Sequence, residues 1–327
     1  MSVGKFPLTG PLEIDNYDEF LEKSKVNFND AWSDWSKKSD VTIADFDILK
    51  VIGKGSFGNV VLGTFKRNGI NYAIKILNKN YLLEKLMVNS TMNEKKILQS
   101  INFPFLVSLD YFFVDFKNIY FVMPFITGGE FHQYLLGVGE INENDAKFYS
   151  SQMVLAIEYL HFLGLAHRDI KPENVLLDST GYIKITDYSF CKKLCFRTWS
   201  FVGTPYYMAP EILNEKGYDS SVDWWSLGII IYEMVFGQVP FYDENISLVY
   251  NMIKNNSFYI PLKFSKELTN LLEKLLTKDP SKRLGNLKNG AKDVKEHQWF
   301  TGIDWKLILN RKIQAPFQPK VEFNNCH

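Results

Sequence analysis

The sequence predicts an α+β fold in two lobes: a small lobe built on an antiparallel sheet, then a larger, mainly helical one. Three observations carry this. Short β-branched runs crowd residues 46–77, each broken by glycine or Asn-Gly. Long runs with helical spacing follow Gly128-Gly129. The 327 residues, 46% of them hydrophobic, are enough to fill two cores.

Taken in order, Tyr17, Phe20, Leu21, Phe28, Trp32 and Trp35 recur at helical spacing between Asp15 and Lys38, which predicts an amphipathic helix docked on the core. "FDILKVIG", "NVVLGTF" and "NYAIKIL" read as strands, "LMVNSTMNEKKILQS" as a helix, and "LVSLDYFF" and "NIYFVMPF" as further strands. The lobe boundary falls at residues 124–130. Beyond it, "NENDAKFYSSQMVLAIEYLHFLG", "SVDWWSLGIIIYEMVFG" and "SKELTNLLEKLLT" predict helices, the second apolar enough for the core. A cleft between two lobes is a natural place for a small molecule.

Composition narrows the function. The formal net charge is zero, so neither nucleic acid nor an anionic membrane is an expected partner. The start "MSVGKFPLTG" lacks a secretory pattern, Ser2 stands where N-myristoylation requires glycine, and no apolar run reaches the ~20 residues of a membrane span. Three cysteines, Cys191, Cys195 and Cys326, do not make a disulfide framework. A cytoplasmic location, or cytoplasmic and nuclear, is expected.

Gly53-Lys54-Gly55-Ser56-Phe57-Gly58-Asn59-Val60 is a G-x-G-x-x-G-x-V string. It lies between two strands, which fits a hairpin covering phosphates with its backbone N–H groups and disfavours a dinucleotide fold. Lys75 in "YAIK" sits on a predicted strand in an apolar run, where an ammonium group is costly unless paired. Glu94 on the next helix is the candidate partner. "HRDIKPEN" puts His167, Arg168, Asp169, Lys171 and Asn174 in one loop. Phosphoryl transfer requires alignment, charge neutralisation and an acceptor for the hydroxyl proton. Asp169 suits the acceptor role, Lys171 offsets charge on the group in transit, and Asn174 and Asp187 offer the hard oxygens that Mg²⁺ prefers. "GTPYYMAPE" follows, and its Glu211 is a candidate buried partner for Arg283.

Motif order and spacing identify the chain as resembling the eukaryotic protein kinases, with their bilobal fold and interlobe ATP cleft. Within them it is similar to the AGC group, and most to the cyclic-AMP-dependent catalytic subunits. "NEKKILQSINFPFLVSLDYFF", "RTWSFVGTP", "VDWWSLG", "RLGNLKNG" and "DWKLILNRKIQAPFQPK" carry that likeness over residues 15–320. It implies an N-terminal extension at 1–45, a kinase domain at 46–300 with lobes meeting near 125, and a truncated tail at 301–327. It implies ATP and Mg²⁺ as cofactors. Adenine would lie among Ile52, Val60, Ala73 and Leu176, beside Thr186, with Met123 as gatekeeper and the backbone of Pro124 and Ile126 reading its edge. Glu130 would reach the ribose.

The resemblance also implies protein substrates carrying arginines before the accepting Ser or Thr, held by Glu130, Glu173 and Glu233, because guanidinium and carboxylate match as forks. Phe201, Pro205 and Met208 would hold the residue after the acceptor. Ser200 matches an activating phosphosite, whose phosphate would meet Arg168 and Lys192. Trp199 and Tyr250 match positions that touch a cyclic-AMP-binding regulatory subunit, so that subunit and pseudosubstrate inhibitors are the expected partners.

Three departures bear on activity. The chain stops at "PKVEFNNCH", short of the family's aromatic tail, and weaker ATP binding is expected. Tyr206 stands where a glutamate helps to read a more distant arginine, which changes the expected extended-substrate preference. Asp187-Tyr188-Ser189 replaces Asp-Phe-Gly. If residue 189 needs positive φ, serine costs about 1–2 kcal/mol there. Two functions stay open at this point: an active Ser/Thr kinase, or a catalytically weak protein that binds regulatory and inhibitor subunits.

Overall fold

The computed structural model describes residues 13–34, 39–55, 58–194, 196–255 and 257–320, and divides the chain into two units after Ile126. Ser56 and Phe57 of the glycine string, Trp35 and Lys38 of the expected first helix, and Cys195 lie outside the described residues.

The first unit opens with α1 (Tyr17–Ser33), capped by the Asn16 side chain on the Glu19 N–H. The helix ends at Ser33, short of the expected Lys38. It packs on the later helix Val88–Ser100, whose Gln99 amide donates to the Ala31 carbonyl. Five strands follow: β1 (Phe46–Gly55), β2 (Gly58–Phe65), β3 (Ile70–Asn78), β4 (Tyr111–Val114) and β5 (Asn118–Pro124). Between β3 and β4 come α2 (Lys79–Glu84) and α3 (Val88–Ser100). The sheet is antiparallel in the order β1-β2-β3-β5-β4. Gly69, at φ +68°, turns β2 into β3. One sheet face is an aromatic core of Phe46, Phe65, Tyr72, Tyr111, Phe113 and Tyr120 with Val61, Ile74 and Val122. The expected strand "LVSLDYFF" is only half a strand, since regular pairing starts at Tyr111. Leu106, Val107 and Leu109 are buried nonetheless. Continuous apolar character reported burial there, not conformation.

The second unit is mainly helical. It contains α4 (Phe131–Val138), α5 (Glu143–Phe162), the paired strands β6 (Leu165–Ala166) and β9 (Lys192–Lys193), and the hairpin β7 (Val175–Leu177) with β8 (Ile183–Ile185). Then come α6 (Pro210–Leu213), α7 (Ser221–Phe236), α8 (Ile246–Asn255), α9 (Lys266–Leu275), α10 (Ala291–Lys295) and α11 (Trp305–Leu309). The apolar α7 is the hub, buried along nearly its whole length against α5 and α9. Arg283, fully buried, donates to Glu211 at 2.6 and 2.9 Å, to the Thr277 and Ser221 carbonyls, and lies 5.2 Å from the Trp225 ring. The bidentate geometry and satisfied donors are what a buried ion pair requires. The segment after α11 runs back over the unit. Arg311 pairs with Asp178, Tyr182 donates to the Ile313 carbonyl, and Phe317 stacks on Tyr134. No helix among the described residues is long and apolar enough to cross a membrane.

Candidate active site

In the first unit, cross-strand pairing decides what shares a face. Val60 pairs with Lys75, Lys75 with Phe121, Ala73 with Met123, and Gly53 with Val60. Directly opposed residues point to the same side. Gly53, Val60, Ala73, Lys75 and Met123 therefore line the face opposite the aromatic core. Gly55 pairs with Gly58 at the hairpin end. A Cβ on Gly58 would fall 2.0 Å from the Ile76 carbonyl, so β2 and β3 can pair there only without a side chain. Lys75 Nζ meets Glu94 Oε1 at 2.6 Å, which is the pairing that a lysine in an apolar strand demands. Ile52 is more than a third exposed, Met123 is buried, and Pro124 and Ile126 are half-buried at the end of the sheet.

In the second unit, the loop after β6 is fixed from below. Asp223 is buried on α7 and accepts the backbone N–H groups of His167 (2.9 Å) and Arg168 (2.8 Å), with His161 Nε2 at 2.9 Å. Burial pushes its carboxyl up, but the His161 contact, the histidine charges and the Arg168 N–H outweigh this and hold it below the usual range. Arg168 sits at φ +70°. That conformation is unfavourable for an L-residue, and the two bonds to Asp223 hold it in place.

Asp169 is the centre of a tight network. Its Oδ1 accepts from the Thr204 hydroxyl at 2.8 Å. Its Oδ2 accepts from the Asn174 amide at 3.1 Å and lies 3.2 Å from Lys171 Nζ. Lys171 also donates to Thr204 at 2.6 Å. Asn174 spends its NH₂ on Asp169, binding its backbone carbonyl at 2.9 Å as well, which turns the amide oxygen the other way. Thr186 joins the loop through its N–H to the Asn174 carbonyl, and Leu176 pairs with Glu130 across a backbone bridge.

At the altered turn, positive φ falls on Asp187 (+60°), while Ser189 is not among the positive-φ residues. The strain expected for serine is absent from this conformation. The Ser189 N–H instead donates to Asp187 Oδ1 at 3.2 Å. Tyr188 is fully buried, its ring edge-on to His167, and its hydroxyl donates to the Ile185 carbonyl at 3.0 Å.

The acids expected to read arginine are all in this unit. Glu130 is exposed at the start of α4. Glu173 lies in the turn Pro172–Asn174, against which α4 packs. Glu233 on α7 accepts from the Tyr207 hydroxyl at 2.7 Å. Burial pushes the Glu233 carboxyl up, and the nearby Glu173 charge adds to this. Phe201 is half exposed and edge-on to Tyr250, Pro205 opens the turn Pro205–Tyr207, and Met208 is buried beside it. Tyr206 stacks on Tyr242. Around Ser200, Arg168 is engaged elsewhere, with Phe190 and Tyr218, and Lys192 donates to Thr198. Tyr218 donates to the Ser200 carbonyl at 2.7 Å, so Arg168 reaches Ser200 through Tyr218 and its backbone. Cys191 is buried and burial pushes its thiol up, which makes it inert rather than redox-sensitive.

Sequence reasoning passed over Thr204, Tyr207 and Asp223. All three act from distant segments on groups it did name, and only "GTPYYMAPE" and "VDWWSLG" marked their neighbourhoods.

A catalytic loop braced by Asp223, a carboxylate held by a hydroxyl, a lysine and an amide, and a strand lysine paired to a helix glutamate define a protein kinase. The protein kinase domain family matches residues 46–300, and the chain belongs to that family. It is similar to cAMP-dependent protein kinase catalytic subunit 2 of Drosophila melanogaster, at 40% identity over 94% of this chain and 87% of that protein. It is also similar to cAMP-dependent protein kinase type 3 of Saccharomyces cerevisiae, at 42% identity over 92% of this chain and 74% of that protein. The cAMP-dependent protein kinase catalytic subunit of Dictyostelium discoideum is 43% identical over 86% of this chain, which spans 43% of that relative's length.

Proposed function

We propose that this chain transfers the γ-phosphoryl group of ATP to Ser or Thr hydroxyls in proteins that carry arginines before the acceptor. The observation that carries the reading is the Asp169 carboxylate, which already accepts a hydrogen bond from an alcohol, Thr204, with the Lys171 ammonium 3.2 Å away. An incoming Ser or Thr hydroxyl asks the same of it: to orient the O–H and receive its proton. Lys171 lies where negative charge must be offset. Asn174 presents its amide oxygen and Asp187 its carboxylate, a hard-oxygen donor set that fits Mg²⁺. Bound Mg²⁺ would neutralise phosphate charge. Lys75, held by Glu94, would grip the phosphates, and the face bearing Val60, Ala73 and Met123 would take the adenine.

Glu130, Glu173 and Glu233 support arginine-directed recognition, and Phe201, Pro205 and Met208 an apolar residue after the acceptor. The relatives' names and the exposed Trp199 support a cyclic-AMP-binding regulatory subunit and pseudosubstrate inhibitors as partners. Complete bonding of Asp169 favours this reading over a protein that only binds them.

The test is phosphorylation of an Arg-Arg-x-Ser peptide. Asp169→Asn keeps the shape and removes the proton acceptor, so the rate should fall by about 10²–10⁴-fold. Removing divalent metal should abolish it. Equal rates for both proteins would overturn the reading.

A further inference from the structure

α4 carries His132 in its first turn and packs against the turn that bears Glu173. His132 Nδ1 is buried and, among the described residues, has no hydrogen-bond partner; the same holds for Glu173 Oε2. A buried polar atom left unbonded costs free energy, so two of them on touching elements point to a ligand that supplies donors. Glu233 is electrostatically coupled to both. The Glu173 charge pushes its carboxyl up, and a charge on His132 pulls it down.

We propose that His132 is a specificity residue: with its ring neutral, Nδ1 accepts a hydrogen bond from the substrate guanidinium that Glu173 and Glu233 hold. This rests on the substrate reading above. A guanidinium has five N–H donors and two carboxylates engage at most four, which leaves one for the ring. A lysine carries its three donors on one nitrogen and cannot span both carboxylates and the ring, so the contact favours arginine.

The experiment is fluorescence anisotropy of an Arg-Arg-x-Ala peptide and its Lys-Lys counterpart, on the full chain with Mg-ATP at one fixed pH. Wild type should prefer the arginine peptide by about tenfold or more. His132→Phe should bind that peptide about tenfold more weakly, with little change for the lysine peptide. His132→Asn places an amide oxygen at the Nδ1 position. It should restore most of the arginine-peptide affinity. Equal affinities of wild type and His132→Phe, with arginine selectivity intact, would overturn the His132 assignment alone. If wild type binds neither peptide, or both equally, the arginine-directed substrate reading falls and takes this one with it.

Discussion

Ser189 shows how a single residue is misjudged from a motif. Glycine at that place suggests positive φ, and serine then suggests strain. The chain instead places positive φ on Asp187, whose carboxylate captures the Ser189 N–H. Serine is free of the penalty, so Ser189→Gly should leave the peptide phosphorylation rate within about twofold, since no ~1–2 kcal/mol strain is there to relieve. A large gain in rate would show that activity requires a different turn. Lys75 is the opposite case. Its cost in an apolar strand was plain from the sequence, and so was the remedy on the following helix. Thr204 was not legible, because a threonine 35 residues beyond Asp169 has no chemical peculiarity until the fold brings it to the carboxylate.

Long elements were legible where one period ran for several turns, as in α5 and α7. The six-residue α2 and eight-residue α4 were missed, because each offers too few turns for a period to show. The cost of missing α4 was a functional one, since it carries His132. The β2–β3 pair makes a sharper point. The glycine string reads as phosphate chemistry, yet Gly58 is required by packing: any Cβ collides with the Ile76 carbonyl. Gly58→Ala should therefore lower stability by about 2 kcal/mol or more, through separation of two paired strands. Thermal unfolding measured without nucleotide isolates this from any effect on ATP. An unchanged Tm would mean that the hairpin end relaxes freely.

For the molecule as a whole, the sequence disclosed two regimes of folding, one sheet-led and one helix-led, because the periodicity changes after Gly128-Gly129. It also suggested the Glu211–Arg283 pair, which links residues 72 apart in the second unit. That pair lies under α7, with Arg283 fully enclosed. Removing one partner leaves a buried charge uncompensated. Arg283→Ala should cost about 3–5 kcal/mol in denaturant unfolding, whereas the double change of Arg283 and Glu211 to leucine should recover much of it. A double variant as unstable as the single one would show that the pair's other bonds, to Thr277 and Ser221, matter more than its charges. The resemblance to known kinases supplied expected roles that no physical rule gives from sequence alone, above all those proposed for Glu130, Glu173 and Glu233.

The hydroxyl of Tyr188 has a kinetic consequence. Its bond to the Ile185 carbonyl ties the turn at Asp187–Ser189 to the strand that precedes it, where a phenylalanine would be held by packing alone. An inhibitor that binds only after this turn swings outward must first break that bond. At a net worth of about 1 kcal/mol, the tether slows such compounds by roughly fivefold while leaving those that bind the resting turn untouched. The tyrosine thus acts as a filter on association, separating inhibitors that require the outward turn from those that do not.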